Sequence, residues 1–252
     1  MKHIKKKHQF ESKDLPIMKG GNVSTSSRLN QSELKNNAIE YQIPFLTTTN
    51  GTNIWSVFHK KNNKTIVVPL PDLTLVYFNY GYINNKIRKD NEKKLFEKLE
   101  STNEVTEEVN NEVYNYFGAA SSCIIGMFTS LELFINSIIP DDVKYERILK
   151  QKKEFCNKEK IQRWINFDEK IKEVVPTVIG LKYDFSNSLI PSMKELRDKI
   201  IHTKSSKNFI LEQELTKELL VFNYDKCLED VKNYIQFYKK GLIEDCDCGK
   251  DF

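Results

Sequence analysis

Apolar residues recur at helical spacing from about residue 84 to residue 240. Between Glu104 and Ile139 this spacing predicts one long helix or two stacked helices, stopped by Pro140. The second half of this stretch is apolar almost all round, which is typical of the central helix of a bundle. Its apolar residues are Cys123, Ile124, Ile125, Met127, Phe128, Leu131, Leu133, Phe134, Ile135, Ile138 and Ile139.

The other periodic stretches predict a bundle around that helix. They are a highly charged helix over 86–100, a short helix from Asp141 toward Phe155, an amphipathic helix over 161–175 ended by Pro176, a helix over 190–203, and a last helix over 213–240. The sequence therefore predicts an all-α fold, an antiparallel bundle of about five helices.

The N-terminal third has a different pattern. Two β-rich runs, 54–58 and 65–70, flank a polar turn and predict a β-hairpin. The predicted organisation is a poorly ordered polar segment over 1–40, a small hairpin-containing extension over 41–83, the helical domain over 84–242 and a C-terminal tail over 243–252.

Composition limits the functional classes. The chain of 252 residues is 29% charged and carries a formal net charge of +4, which permits a nucleic acid partner without requiring one. No apolar run approaches the ~18–20 residues that cross a bilayer, and the basic start lacks the apolar segment of a secretory signal. Five cysteines without framework spacing are typical of a reducing compartment. We therefore expect a cytoplasmic protein without a membrane partner.

Arg197 and His202 are the first candidate functional residues. On an ideal helix over 190–203, Arg197 falls within the sector of the apolar stripe, where a guanidinium needs a partner or a ligand. His202 falls about 140° away, facing outward. Two interpretations stay open. Arg197 and His202 belong to a catalytic cleft, or Arg197 packs its stem while Asp198 pairs with His202 four residues later.

Glu132 is the second unusual residue, because it borders the apolar stripe of the central helix. We predict that it pairs with Arg197 and orients it, while Asp198 orients His202. The alternative is that Glu132 faces solvent.

Cys246 and Cys248 resemble half a metal site. No second cysteine pair or neighbouring histidine in the sequence completes four ligands, so no metal and no cofactor are predicted.

The segment Leu196-Arg-Asp-Lys-Ile-Ile-His202 resembles the R-x4–6-H motif of HEPN domains, and Ser130-Leu-Glu-Leu-Phe-Ile-Asn-Ser-Ile-Ile-Pro140 is similar to the central helix of bacterial HEPN-like proteins. The resemblance covers roughly residues 105–240. It implies an all-α bundle that dimerises around the motif helix. Many members of this family are metal-independent endoribonucleases of toxin–antitoxin, abortive-infection and CRISPR systems, and others only bind nucleotides or proteins.

The resemblance implies two functions. The first is an antiviral or stress-type endoribonuclease, acting on RNA through Arg197 and His202 at a homodimer cleft and held in check by a separate antitoxin or inhibitor. The second is a non-catalytic nucleotide- or protein-binding dimerisation module. A purely structural dimer built on the 41–82 region is a third expectation.

Overall fold

The structure is a computed structural model, and it describes residues 3–12, 30–39, 43–149, 152–202 and 209–248. Most described residues are helical, and short antiparallel sheets complete the fold. The chain divides into two compact units. One comprises residues 6–75, and the other comprises residues 1–5 together with 76–252.

The smaller unit is built around one sheet. Its strands are β1 (Glu11–Ser12), β2 (Phe45–Thr47), β3 (Asn53–Lys61) and β4 (Lys64–Pro69), accompanied by helix α1 (Gln31–Ile39). The first half of β3 pairs with β1 and β2, and its second half pairs with β4, all antiparallel. Asn62 and Asn63 connect β3 to β4 with φ of 49° and 62°, a left-handed turn that asparagine tolerates. The predicted hairpin is therefore present.

The larger unit is a helical bundle. Its helices are α2 (Leu73–Ser101, which begins at the unit boundary), α3 (Glu107–Ile138), α4 (Lys158–Trp164), α5 (Phe167–Glu169 continued by a π-helical turn over Lys170–Val174 and by Val175–Ile179), α6 (Ile190–Ile201), α7 (Phe209–Val221) and α8 (Tyr224–Tyr238). A two-stranded hairpin, β5 (Tyr145–Leu149) with β6 (Lys152–Cys156), lies between α3 and α4.

Helix α3 is the centre of this bundle, as its sequence predicts. The Thr106 side chain caps its first turn by accepting from the Val109 N–H. It packs against α6, α7 and α8. By length and composition α3 would suit a membrane span, but 61% of its most apolar window is buried inside the protein, as in the core helix of a soluble protein.

Helices α2 and α3 approach closely at two glycines. A Cβ atom added to Gly126 would lie 2.8 Å from the backbone nitrogen of Gly81 and 2.9 Å from a ring carbon of Tyr80. No side chain larger than hydrogen fits there without moving a helix. This crossing sets where α2 lies along α3.

Several sequence expectations are wrong. The stretch from Asp141 toward Phe155 forms the β5–β6 hairpin and not a helix. The predicted helix over 161–175 is two helices, because α4 ends at Trp164 and Asn166 caps a new helix, α5, from Phe167. Helix α5 continues past Pro176 to Ile179, since the wider π-helical turn before Pro176 relieves the clash that a proline ring makes with an earlier carbonyl. The last helix is two helices, separated where Asn223 caps α8 by accepting from the Lys226 N–H.

The terminal segments also differ from expectation. In the described parts of 1–40, α1 and β1 are regular, and Ile4 is 1% exposed. Ile4 forms an antiparallel bridge with Asp245, in the stretch that we expected to be a free tail. The remainder of 1–40, residues 13–29 among it, lies outside the described residues. The helical unit therefore includes residues from both terminal segments.

Candidate functional site

The candidate site lies at the C-terminal half of α6. Ile190, Met193 and Leu196 bury one face of this helix, as the apolar stripe predicts. Arg197 stands beside that face, and its side chain is 28% exposed. His202, the residue that ends the helix, is exposed, and its backbone N–H donates to the Asp198 carbonyl. The end of this helix thus carries a half-buried guanidinium and, five residues later, an exposed imidazole.

The Arg197 guanidinium is held on two sides. Its carbon lies 4.6 Å from the centroid of the Phe128 ring of α3, and this ring packs on Phe167 at 4.7 Å. Its Nη1 donates to the Asp198 carboxylate at 3.0 Å. Aromatic stacking and one charge-assisted hydrogen bond fix the plane of the guanidinium while leaving most of its five N–H donors for other acceptors.

Asp198 belongs to a chain of alternating charges along α6. Lys194 lies between Asp198 at 3.0 Å and Asp168 of α5 at 3.2 Å. Burial by itself raises the pKa of Asp198, but the hydrogen bonds and charges of Lys194 and Arg197 together outweigh it and hold this pKa below its ordinary value. Asp198 is therefore an anion that positions two cations.

The sequence analysis predicts that the Asp198 carboxylate orients His202, but the structure shows it in contact with other residues. Its carboxylate engages Lys194 and Arg197, and its link to His202 runs through the backbone only. The reason is local geometry, because the carboxylate of Asp198 reaches the guanidinium of the preceding residue. Asp198 remains part of the site, but as the partner of Arg197.

The predicted Glu132–Arg197 pair is also absent among the described residues. Glu132 acts instead on Lys170 of the π-helical turn, whose ammonium lies in the core at 1% exposure. Lys170 donates to the Asn136 side chain at 3.2 Å and to the Gln162 carbonyl at 2.9 Å. Burial lowers the pKa of Lys170, and the charge of Glu132 offsets this only in part. Glu132 thus stabilises the charge of a buried lysine, Lys170, which the sequence analysis did not single out.

A second concave region lies between α2 and α8. It is a groove of about 930 Å³ whose lining residues are mostly polar or charged. Four lysines line it, namely Lys86, Lys89, Lys226 and Lys232. Asp225 accepts from Asn85 at 2.8 Å and pairs with Lys89 at 2.7 Å. Four acidic residues line it as well, namely Asp90, Asp225, Glu229 and Asp245. The groove therefore combines a concave shape with charged side chains of both signs.

Arg88 contacts Asn85, a lining residue of this groove, and is another residue that the sequence did not single out. It is 6% exposed and lies 4.4 Å from the centroid of the Tyr224 ring. It donates to Glu92 at 2.9 Å and to Asn85 at 3.1 Å. The signal that could have found it is its place on the apolar side of α2, where an arginine needs partners.

A smaller concavity lies between α6 and α7. Its volume is about 430 Å³, and Leu196, Lys199, Glu218 and Asn223 are among its lining residues. Asn223 also lines the lysine groove. The two concave regions therefore meet at the residue that caps α8.

The comparisons with known proteins add no identification. The chain matches no protein-family model, no curated protein and no solved structure at a significant level. The resemblance to HEPN domains accordingly rests on the residues of the R-x4-H segment and of the central helix alone.

Proposed function

We propose that this protein is a metal-independent endoribonuclease of the HEPN type, acting in a bacterial toxin or abortive-infection setting. The observation that carries the proposal is the state of Arg197. Its guanidinium is fixed by Phe128 and Asp198, is 28% exposed, and lies five residues before an exposed histidine. A fixed cation together with an imidazole, which can accept or donate a proton, suits phosphodiester chemistry.

The chemistry needs only what these two side chains and RNA supply. RNA carries its own nucleophile, the 2′-hydroxyl. His202 accepts the proton of that hydroxyl or protonates the departing 5′-oxygen. Arg197 binds the phosphate oxygens in its fork geometry and stabilises the negative charge that builds on phosphorus. The products are a 2′,3′-cyclic phosphate and a 5′-hydroxyl.

The relative directions of the two side chains favour a homodimer. On an ideal helix they point about 140° apart, so one α6 does not present both to one phosphate. Two copies related by a two-fold axis place Arg197 of one beside His202 of the other. Helix α2 offers an apolar stripe to such an assembly, because Val76, Tyr80, Ile83 and Ile87 follow helical spacing and are each 37–44% exposed.

The test is RNA cleavage by purified untagged protein in the presence of EDTA. Wild-type protein should cut end-labelled RNA, leave a 2′,3′-cyclic phosphate, and spare DNA of the same sequence, which lacks the 2′-hydroxyl. His202→Ala and Arg197→Lys should each lose cleavage by about 100-fold or more. His59→Ala is the matched control, since His59 is an exposed histidine of the smaller unit.

Two outcomes would overturn this proposal. One is a wild-type preparation that leaves a panel of cellular RNAs intact, and the other is a His202→Ala protein that cuts them at the wild-type rate. Expression gives an independent readout. A plasmid encoding His202→Ala should transform cells that resist the wild-type gene in the absence of an antitoxin.

The second candidate function is a binding module without catalysis, and the lysine-lined groove favours it. The four lysines of this groove can bind the phosphates of a nucleotide or of single-stranded RNA when they exchange their carboxylate partners, such as Asp225 and Asp245, for phosphate. This function predicts RNA or nucleotide binding that survives His202→Ala and fails when groove lysines are replaced. Binding without product formation would favour it over the ribonuclease.

A further inference from the structure

His3, Cys246 and Cys248 come together at the junction of the two terminal segments. Their ligand atoms all lie within 4.8 Å of one another, and the Cys248 Sγ lies 3.2 Å from the His3 Nε2. Two ligands of one tetrahedral zinc ion stand about 3.5–3.8 Å apart. The three donors are therefore already near the separation that a shared ion requires. Sequence spacing alone had supplied no histidine for this cysteine pair.

The backbone holds these donors in place. The Cys246 N–H donates to the His3 carbonyl at 2.8 Å, and the Lys5 N–H donates to the Glu244 carbonyl at 2.8 Å. Between these bonds Ile4 pairs with Asp245 and is 1% exposed. His3 itself is 5% exposed. A short antiparallel pairing thus presents one buried imidazole to two thiols.

The acidic residues next to this cluster form ion pairs with lysines. Lys5 pairs with Glu244 and with Asp247, each at 3.3 Å, and Lys232 pairs with Asp245 at 2.9 Å. The carboxylates that alternate with the cysteines are thereby engaged by lysines.

We propose that His3, Cys246 and Cys248 bind a zinc ion. Two thiolates and one imidazole form a soft donor set. Zinc binds such donors, whereas magnesium and calcium prefer oxygen ligands. Binding breaks two S–H bonds, releases both protons to solvent, and forms two Zn–S bonds and one Zn–N bond without any change of oxidation state. Three protein donors leave one position of the tetrahedron for water or a further ligand.

The ion would join segments that are far apart in sequence. His3 lies in the first segment of the helical unit, and both cysteines lie in its last described segment. Because the unfolded chain offers no such preformed site, zinc binding stabilises the folded state and the pairing at Ile4. This binding stabilises the helical unit through residues other than Arg197 and His202.

The test is metal binding by the full-length untagged protein, freed of metal under reducing conditions. Wild type should bind one zinc ion per chain. With cobalt it should give the visible bands of a tetrahedral ion and a thiolate-to-cobalt charge-transfer band. Cys248→Ser should lose the bound zinc and both cobalt signals at micromolar metal. Cys248 is a direct ligand, so its loss should weaken metal binding by more than the about 10- to 100-fold that follows loss of a residue that only hydrogen-bonds to a ligand.

Cys248→Ser is the most informative variant, since Cys248 is exposed and serine nearly preserves its shape. His3→Ala tests the buried ligand, with circular dichroism to check that the protein is folded. His59→Ala is its control and should bind zinc as wild type does. Zinc should also raise the midpoint of thermal unfolding of wild type and slow amide exchange at 3–5 and 244–248, with neither effect in Cys248→Ser.

The proposal is wrong if reduced wild type binds less than one zinc per chain at micromolar metal. It is equally wrong if Cys248→Ser or folded His3→Ala keeps the charge-transfer band and the stoichiometry. A loss in His59→Ala as large as that in His3→Ala would also overturn it.

Discussion

The Arg197 guanidinium lies over the Phe128 ring, with 4.6 Å between its carbon and the ring centroid. This contact joins α6 to the central helix α3. It also explains how a charged residue occupies the apolar sector of α6. The face of the Phe128 ring attracts the cation, while the rest of the ring packs in the core. The candidate catalytic cation is thereby oriented by the central helix of the fold.

The first prediction concerns the energy of this contact. A double-mutant cycle with Arg197→Met and Phe128→Leu should give a coupling free energy of about 0.5–1 kcal/mol, the usual range for a partly exposed cation over a ring. Urea unfolding of the four proteins measures it. Strictly additive changes would show that stacking does not stabilise Arg197.

The second prediction concerns the crossing of α2 and α3. Gly126→Ala should destabilise the protein by about 1–3 kcal/mol, because its Cβ would lie 2.8 Å from the backbone of Gly81. Gly118 in the same helix has nothing within 4 Å of an added Cβ. Gly118→Ala should therefore stabilise by about 0.5–1 kcal/mol. Thermal unfolding should show shifts of opposite sign.

The third prediction concerns acid. The pKa of Asp198 is lowered in the folded state, so its ionised form stabilises the fold above the unfolded pKa of about 3.9. That contribution is lost as pH falls through the lower folded value. Asp198→Asn should cost less than about 1 kcal/mol at pH 6, since the side chain is 36% exposed, and nothing once pH has fallen below the folded-state pKa of Asp198.

A control distinguishes this effect from general acid unfolding. Asp142→Asn removes an exposed carboxylate outside this chain of charges and should change the free energy of unfolding equally little at pH 6 and at pH 3. If Asp198→Asn and wild type lose stability in parallel between pH 6 and pH 3, the Asp198 pairs contribute nothing to folding.

The fourth prediction concerns the lysine-lined groove. Lys86→Gln and Lys89→Gln should weaken single-stranded RNA binding and lower the slope of log affinity against log salt by about 0.7 for each phosphate that no longer pairs with a lysine. Lys93→Gln is the matched control, because Lys93 is on the same helix, 78% exposed and outside the groove. Fluorescence anisotropy over a salt series measures both quantities. Equal slopes for all variants would place RNA elsewhere.

The fifth prediction concerns assembly. Wild type should sediment as a dimer at tens of micromolar, because the two side chains of the proposed ribonuclease must meet across a two-fold axis. Ile83→Lys and Ile87→Lys together should shift it to monomer if the α2 stripe forms the contact. Ile148→Lys, at an exposed apolar position of β5, should leave the dimer intact. A wild-type monomer contradicts the composite site.

Periodicity predicted the main features of the fold because it reflects burial. The long helix α3, the motif helix α6 and the β3–β4 hairpin follow from spacing and turn residues. The hairpin from Tyr145 to Cys156 was missed, because its charged residues favour a helix locally. Its strands are stabilised by pairing with each other, which local sequence preference does not reveal. The break at Asn223 had a signal, an asparagine in capping position.

The partners of individual side chains were less predictable. A helical wheel places Glu132 on a face of α3 but does not say which neighbouring helix covers that face. The π-helical turn brings Lys170 there, and a π-turn adds a residue that no regular period anticipates. His3 was missed for a related reason, because a histidine over 240 residues from a cysteine gives no spacing pattern.

The pairing of Ile4 with Asp245 has a consequence for synthesis. Ile4 leaves the ribosome before all of residues 6–75, and its partner Asp245 leaves after more than two hundred further residues. The smaller unit can form while translation continues, since its strands are close together in the chain. The pairing at Ile4 cannot form until residues 244–246 emerge, so this part of the helical unit is completed late in synthesis. In the interval the apolar side chain of Ile4 is accessible to chaperones.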